Sequence, residues 1–290
     1  MAKTKRKSAV KAEHVKKIVR DRYAEIAKQS TSCCPTTKSC GCGAPSANDI
    51  SKKIGYSDKE LKSVPKDSNL GLGCGNPIAL ASLKKGEIVL DLGSGAGFDC
   101  FLAAKKVGKT GKIIGIDMTA EMIEKARVNA KKNNYRNVEF RLAEIENLPV
   151  ADNSVDVIIS NCVINLSPDK KRVFQEAYRV LKPGGRLMVS DIVLLSKLPD
   201  FIKKSVAAYV GCVAGASMKE KYVQLIKSAG FQNVNILEET NYPIDFVADS
   251  TEAKTIIKNL KISQEKIKKT INLVASINVL GIKPNRKTNR

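Results

Sequence analysis

The 290-residue sequence predicts an α/β fold in which helices cover both faces of a mostly parallel β-sheet. In the middle of the chain, short runs rich in Val, Ile and Leu alternate with helical stretches of about 10–15 residues, a spacing typical of βαβ units. Most of these runs are apolar almost without interruption, as expected for strands covered on both faces. A glycine-rich turn follows the first run, and open sheets of this kind bind ligands at the carboxyl ends of their strands.

The apolar runs predict five strands, at 87–92, 112–117, 138–142, 155–160 and 186–192. Helices are predicted between them at 97–106, 119–133 and 168–181. Thr119 is a residue type that caps helix N termini, and the sequence Lys182-Pro183-Gly184-Gly185 stops the third helix.

The pattern changes after residue 192. It predicts one or two small-residue helices over 198–218, a helix over 219–229, a sixth strand at 234–237, a basic helix over 251–269 and a last strand at 271–282. The N-terminal part predicts a helix over 10–28, followed by a loop over 30–47 that is rich in Cys, Ser, Thr and Gly.

Composition narrows the class of protein. Apolar residues make up 43% and charged residues 27%, which is ordinary for a globular domain. The chain begins with charged residues that no apolar segment follows, and its longest nearly unbroken apolar stretch, 206–218, is too short to span a bilayer. These features predict a cytoplasmic protein without a secretory signal. In a reducing compartment its eight cysteines favour metal binding or catalysis over structural disulfides.

The net charge of +21 is concentrated at the two ends of the chain, in residues 1–28 and 251–290. These ends contain a single aromatic residue, Tyr23, and therefore offer little for stacking on bases. We interpret them as solvated basic helices, and nucleic acid is not a predicted partner.

The glycine turn after the first strand reads Asp91-Leu92-Gly93-Ser94-Gly95-Ala96-Gly97. Glycines let the backbone turn tightly and approach a ligand at the positive end of the next helix. Asp117 ends the second strand, where a carboxylate accepts hydrogen bonds from ribose hydroxyls. The G-x-G-x-G spacing departs from the dinucleotide fingerprint and favours a nucleoside ligand without a pyrophosphate.

Four segments in this order, DLGSGAGFD, GIDMT, AEIENLP and VLKPGG, resemble the class I S-adenosylmethionine-dependent methyltransferases over about residues 80–240. The resemblance implies a Rossmann-like seven-stranded sheet whose last strand is antiparallel. It also implies that the turn approaches the methionine part of the cofactor, Asp117 binds the ribose, Met118 packs on the adenine, and Glu144 with Ile145 contacts the adenine edge. The predicted cofactor-binding residues are Asp91, Gly93, Ser94, Gly95, Gly97, Asp117, Met118, Glu144, Ile145 and Asn161.

The cysteines allow several interpretations from their positions alone. The cluster of Cys33, Cys34, Cys40 and Cys42 lacks the usual zinc spacing, which leaves a zinc site, a soft-metal capture loop and surface thiols all open. Cys100 falls among apolar residues of the first helix and is interpreted as a buried small hydrophobe. The remaining three, Cys74, Cys162 and Cys212, are either independent core residues or thiols that converge at the strand ends.

The segments GLGCGNP, SNCVINLSPDK, EAYRVLKPGG and GCVAGA resemble the arsenite methyltransferases, from about residue 15 to residue 240. The resemblance implies that Cys74, Cys162 and Cys212 bind trivalent arsenic and take part in its redox turnover. It also implies a fourth, N-terminal redox cysteine, for which Cys34 is the match and Cys33 the alternate. Leu72 stands where some relatives carry an aromatic residue, so an aromatic wall beside the arsenic is not expected.

The predicted function is therefore arsenite methylation for arsenic detoxification, with thiol–disulfide redox cycling. It implies S-adenosylmethionine as methyl donor, arsenite and methylated arsenicals as substrates, and an external thiol or thioredoxin-type reductant. The alternatives are a methyltransferase for a small organic acceptor, an RNA methyltransferase, and a non-catalytic thiol protein that binds arsenic or antimony.

We expect four regions. They are an N-terminal helix with the Cys-rich loop (1–75), a core that binds S-adenosylmethionine (76–195), a cap insertion carrying Cys212 (196–230), and the last strands, basic helix and tail (231–290).

Overall fold

The computed structural model describes residues 2–28, 46–203, 206–241 and 273–285. Seven strands form one sheet in the order β3-β2-β1-β4-β5-β8-β7, and the two-residue strand β6 pairs with β5. The strands are β1 (Ile88–Leu92), β2 (Lys112–Asp117), β3 (Val138–Leu142), β4 (Val155–Asn161), β5 (Leu181–Leu194), β6 (Ser217–Met218), β7 (Gln232–Asn241) and β8 (Val274–Ile282).

The first five strands are mutually parallel, and β8 is antiparallel to both of its neighbours, β5 and β7. The mostly parallel α/β fold with an antiparallel last strand is thus confirmed. The main path has the seven expected strands, and the sequence pattern missed β6 because two residues carry no periodicity. Strands β2 and β3 lie on one side of β1, whereas β4 and β5 lie on the other side. The connections after β1 and after β4 therefore leave in opposite directions across the sheet, which opens a crevice at the carboxyl ends of these two strands.

Helices flank the sheet. They are α1 (Ala2–Lys28), α2 (Ala47–Lys53), α3 (Asp58–Ser63), α4 (Pro77–Leu80), α5 (Phe98–Val107), α6 (Ala120–Lys132), α7 (Lys170–Val180), α8 (Asp200–Lys203), α9 (Val206–Val210) and α10 (Lys219–Ser228). Alternating side chains of each strand enter different apolar layers: Leu90 packs with α7 and α10, and Val89 packs with α5 and α6. This alternation covers both faces of the sheet, as the apolar runs predicted.

Several predicted boundaries were wrong. Helix α1 begins eight residues earlier than expected, and the short helices α2, α3 and α4 were not predicted, since elements of four to seven residues leave no clear periodicity. Strand β5 starts at Leu181, directly after α7, because Leu181 already pairs with Val155 of β4; residues 182–185 then form an irregular segment before Arg186 pairs with Val157. Thr119 precedes α6, but its side chain makes no capping hydrogen bond.

The cap region has two short helices where one or two were predicted, but they end well before residue 218. It contains the four-residue helix α8 and the five-residue helix α9, followed by the turn that carries Cys212 and by strand β6. The predicted basic helix over 251–269 lies outside the described residues, as do Cys33, Cys34, Cys40 and Cys42. Within the described ranges, no helix has both the length and the apolar character needed to cross a membrane.

Candidate active site

The glycine turn joins β1 to α5 and holds the carboxylate at the end of β2. Gly93, Gly95 and Gly97 have φ angles of +72°, +51° and +94°, a region that favours glycine. The amide of Gly95 donates a hydrogen bond to Asp117 Oδ2 at 3.0 Å, and the amide of Thr119 donates to Oδ1 at 2.8 Å. A Cβ atom added to Gly95 would meet nothing within 4 Å, so the turn faces open space here. The turn and Asp117 therefore form one wall of a ligand site.

That wall belongs to a cleft of about 1070 Å³. Predicted site residues among those that line the cleft are Asp91, Gly93, Ser94, Gly95, Asp117, Met118, Ile145, Asn161 and Cys162. Gly97 does not line it, because its Cα faces the rings of Phe101 and Phe140. Glu144 does not line it either; its carboxylate accepts a hydrogen bond from Lys16 at 2.6 Å.

The floor of the cleft is acidic. Asp99 Oδ1 accepts a hydrogen bond from the Tyr56 hydroxyl at 2.6 Å, and Asp99 Oδ2 accepts one from Asn161 Nδ2 at 3.1 Å. Burial raises the pKa of Asp99 to about 6, against the hydrogen bonds that lower it. Burial, together with the charge of Asp99, holds the pKa of Asp91 well above its ordinary range. In the part of the chain that the structure describes, neither carboxylate forms an ion pair, so the floor favours a cationic ligand.

One polar atom of the cleft lacks a partner. Ser94 is 6% exposed and its Oγ makes no hydrogen bond to any described residue. Buried hydroxyls are normally paired, so an unpaired one that lines a cleft indicates a ligand contact.

Helix α1 covers the opposite side of the cleft. Lys16 Nζ lies 2.6 Å from Glu144 Oε2 and 3.3 Å from Glu146 Oε1, and Lys16 and Glu146 both line the cleft. Burial lowers the pKa of Lys16, but the hydrogen bond and charges of the two glutamates outweigh it and raise the pKa overall. Val19 is buried, and the Tyr23 hydroxyl donates to the carbonyl oxygen of Val210 in the cap. The helix therefore bridges the cofactor side of the sheet and the cap.

The structure brings three cysteines from distant segments together at the base of this cleft. Cys74, Cys162 and Cys212 are all buried as free thiols in one cluster with apolar residues that include Val19 and Leu166. The sulfur atoms of Cys74 and Cys162 lie within 4.8 Å of each other and of a carboxylate oxygen of Asp191. The Cys212 thiol donates a hydrogen bond to the Cys162 carbonyl oxygen at 2.9 Å. Cys162 alone of the three lines the cleft.

The backbone is strained at two of these cysteines. Cys162 and Cys212 have φ angles of +59° and +64°, in the left-handed region that non-glycine residues rarely adopt. Each such residue costs about 1–3 kcal/mol and persists only when its surroundings impose it, most often at functional sites. This strain sets Cys162 and Cys212 apart from Cys100, which lies inside α5 as a fully buried residue, as predicted.

Cys74 owes its position to the glycines on either side. A Cβ atom on Gly73 would lie 2.7 Å from Asn161 Nδ2, and one on Gly75 would lie 2.9 Å from Ser190 Cβ. The amide of Cys74 donates to Asn161 Oδ1 at 3.0 Å, and its thiol donates to the Ser190 carbonyl oxygen at 3.4 Å. Asn161 therefore connects the acidic floor to the thiol cluster, in addition to preceding Cys162 in the chain.

The cluster favours protonated thiols as long as it is empty. Burial raises the pKa of Cys74. Hydrogen bonds with the Cys212 and Cys74 side chains, with burial added, hold the pKa of Cys162 well above its ordinary range. A soft electrophile that bonds to sulfur and releases the thiol protons fits this dry environment better than a hard ion does.

A protein-family model described as a methyltransferase domain matches residues 83–230. The arsenite methyltransferase of Halobacterium salinarum is 49% identical over 246 residues, which are 82% of this chain and 63% of that protein. The crystal structure of an arsenic(III) S-adenosylmethionine methyltransferase from Chlamydomonas reinhardtii matches with a TM-score of 0.59 and 30% identity, covering 84% of this chain and 76% of that one. The chain belongs to the arsenite methyltransferase family.

A phosphoethanolamine N-methyltransferase from Haemonchus contortus, solved with S-adenosylhomocysteine, matches with a TM-score of 0.60. It is 19% identical, covers 83% of this chain and 61% of its own, and shares the fold alone. The chain spans between 49% and 63% of the length of the first three curated arsenite methyltransferases that it matches.

The sequence analysis did not identify four side chains that belong to the site of this arsenite methyltransferase family member. They are Lys16, Tyr56, Asp99 and Asp191. Asp99 is the last residue of the DLGSGAGFD segment, so its position directly after the glycine turn could have marked it as a site residue. Lys16, Tyr56 and Asp191 come from other parts of the chain, and only the packing of α1, the 54–56 turn and β5 brings them to the site.

Proposed function

We propose that this protein transfers methyl groups from S-adenosylmethionine to trivalent arsenic held by cysteine thiolates. The observation that carries the proposal is the thiol cluster: Cys74, Cys162 and Cys212 meet at the base of a cleft whose other end has the glycine turn and Asp117. Three thiols are the ligand number that pyramidal arsenic(III) takes, and arsenic prefers sulfur over oxygen.

The residues of the cleft fit S-adenosylmethionine. Its ammonium and sulfonium groups are positively charged and complement the carboxylates of Asp91 and Asp99, whereas a pyrophosphate would be repelled by them. Asp117 retains acceptor capacity for ribose hydroxyls beside its two amide donors, and Ser94 Oγ offers a free hydroxyl. When bound, the cofactor supplies an electrophilic methyl group on sulfur. Met118 and Ile145 provide apolar surface for its base.

The thiols prepare arsenic for attack. Arsenite exchanges its three hydroxides for the three sulfur atoms and releases three waters, which carry away the thiol protons. Arsenic keeps its lone pair, which is then the nucleophile. Cys162 lines the cleft, while Cys74 and Cys212 lie behind it, so the bound arsenic would sit between the thiols and the cofactor side. Alignment of the two reactants is the main catalytic contribution of this site, and no general base is required for it.

Methylation requires a redox balance. When the lone pair forms the new bond to carbon, arsenic is formally oxidised from As(III) to As(V). Two thiols then supply two electrons and become a disulfide, and an external thiol or thioredoxin-type reductant restores them. Cys34, with Cys33 as the alternate, is proposed as the partner of the pocket cysteines in this step. We keep the four predicted regions as part of this proposal: the N-terminal helix with the Cys-rich loop (1–75), the core that binds S-adenosylmethionine (76–195), the cap carrying Cys212 (196–230), and the last strands, basic helix and tail (231–290).

The test is to incubate the protein with arsenite, S-adenosylmethionine and a dithiol, and then to separate the arsenic species. Methylated arsenicals that require all three components support the proposal. Binding of arsenite without methylated product would indicate a thiol capture protein. Turnover of a small organic acceptor, with none on arsenite, would indicate the other alternative.

A further inference from the structure

The thiol cluster contains one group that the methyl-transfer chemistry does not use. Asp191 is fully buried at the carboxyl end of β5, and one of its oxygens lies within 4.8 Å of the sulfur atoms of Cys74 and Cys162. Arsenic(III) is satisfied by three sulfur ligands and gains nothing from a hard oxygen. The cluster therefore holds one more donor than its proposed substrate needs.

The carboxylate of Asp191 is held in a fixed orientation. The Tyr222 hydroxyl donates to Oδ2 at 2.8 Å, while Asn165 Nδ2 at 2.8 Å and the Ile192 amide at 2.9 Å donate to Oδ1. The two donors to Oδ1 occupy both of its lone pairs, whereas Oδ2, with a single donor, keeps one lone pair available. Hydrogen bonds that orient a carboxylate in this way are the usual support of a metal-ligating side chain.

A donor set of sulfur with one carboxylate oxygen matches a different class of ion. Zn²⁺ prefers four ligands in a tetrahedron and accepts cysteine sulfur and carboxylate oxygen together. Cys74, Cys162 and Asp191 supply three donors whose ligand atoms lie within 4.8 Å of one another. Cys212 is not within that distance of all three, but its side chain contacts that of Cys162, and a turn of its thiol away from the Cys162 carbonyl oxygen would supply the fourth donor. The cleft reaches Cys162 and gives an ion its route of entry.

We propose that Cys74, Cys162, Cys212 and Asp191 form an inhibitory Zn²⁺ site, in which Zn²⁺ occupies the thiols and excludes arsenite. Zn²⁺ replaces the thiol protons, so that three protons pass to the solvent for each ion bound, and no electrons are transferred. Asp191 is the residue that distinguishes the two ligands: Zn²⁺ uses its oxygen and arsenic(III) does not. Zinc binding by these residues does not depend on the proposed methylation.

The test uses the full chain with Cys33, Cys34, Cys40 and Cys42 replaced by serine, so that only the four described cysteines remain. Zn²⁺ alone is added under reducing conditions, and bound metal is measured by equilibrium dialysis. We expect one Zn²⁺ per chain. Asp191→Asn should weaken zinc binding by about 10-fold or more, while arsenite binding changes less than about threefold. Cys100→Ser is the matched control for a buried thiol outside the cluster, and it should bind zinc like the parent.

A second measurement avoids the Asp191 substitution. X-ray absorption spectroscopy of the zinc-loaded parent should show a mixed shell of sulfur and oxygen or nitrogen neighbours at tetrahedral distances, and a shell of sulfur alone would overturn the role of Asp191. Failure to bind zinc, or equal zinc affinity in Asp191→Asn, would overturn the site. Neither result touches the methylation proposal, which is judged by arsenic speciation in zinc-free buffer.

Discussion

The thiol of Cys212 donates a hydrogen bond to the backbone carbonyl oxygen of Cys162 at 2.9 Å, and both residues have left-handed backbones. Cys162 follows β4, whereas Cys212 belongs to the turn after α9. This contact therefore ties the cap to the end of a central strand. It also brings the thiol of one strained cysteine, Cys212, to the backbone of the other, Cys162.

The first prediction tests both cysteines. Cys162→Ser and Cys212→Ser should each abolish methylation of arsenite, because a serine hydroxyl offers a hard and poorly ionised ligand in place of a soft thiolate. Affinity for S-adenosylmethionine, measured by calorimetric titration, should remain within about twofold of the parent. Cys100→Ser should retain activity, since its hydroxyl can still donate to Asp91. Normal turnover in either pocket variant would refute the arsenic assignment.

The second prediction concerns the ribose contact. Asp117→Ala should weaken binding of S-adenosylmethionine by about 1–3 kcal/mol, because it removes charge-assisted hydrogen bonds and frees the amide of Gly95 that orders the turn. The exposed Asp67→Ala serves as control for the loss of one carboxylate. Unchanged affinity in Asp117→Ala, measured by calorimetry, would exclude the ribose role.

The third prediction addresses helix α1. Lys16→Met should weaken binding of S-adenosylmethionine by about 1 kcal/mol, or about fivefold, since the partly buried ion pairs with Glu144 and Glu146 hold this helix over the cleft. Lys17→Met removes only the exposed pair with Asp21 and should have no effect. Stopped-flow measurement should show that the loss in Lys16→Met lies mainly in faster dissociation; an equal loss in both variants would contradict the contact.

The fourth prediction follows from the buried carboxylate of Asp99. Its pKa is raised from 3.8 to about 6 in the folded protein, so the folded chain binds more protons than the unfolded chain between these values. Stability without cofactor should therefore fall as the pH rises through this window, by on the order of 3 kcal/mol for this group. Asp99→Asn should be more stable than the parent at pH about 7.5, and the gain should vanish near pH 4. Urea denaturation at both pH values measures it, and a gain independent of pH would contradict this origin.

The fifth prediction separates the redox step from metalloid binding. Cys34→Ser should block turnover of arsenite that needs redox cycling, yet still allow methylation of a monomethylated trivalent arsenical, which can use Cys162 and Cys212 alone. Replacement of both Cys40 and Cys42 by serine is the matched control and should matter less. Equal loss on both substrates in Cys34→Ser would mean that this residue is a simple ligand or a structural residue.

The positions of the central strands along the chain and of the glycine turn could be predicted from the sequence, since they depend on local patterns. Runs of five to seven mostly apolar residues, such as β1 and β4, are covered on both faces, so their apolar character is nearly continuous in the sequence. The turn needs glycines at positive φ, so Gly93 and Gly97 mark it in the sequence itself. The resemblance of whole segments then pointed to the three pocket cysteines.

The tertiary structure decided how these parts meet. The sequence left open whether Cys74, Cys162 and Cys212 were separate core residues, because residues 88 and 50 positions apart have no local signal of contact. Packing of the Gly73–Gly75 turn against β4 and β5 brought Cys74 to Cys162, and the cap brought Cys212. In the sequence, Asp191 is a polar residue within a mostly apolar strand, and nothing around it indicates a role in the site. The alternation of side chains along β5 turns its carboxylate toward the thiols. Local sequence fixes backbone conformation, whereas long-range packing determines which side chains share a site.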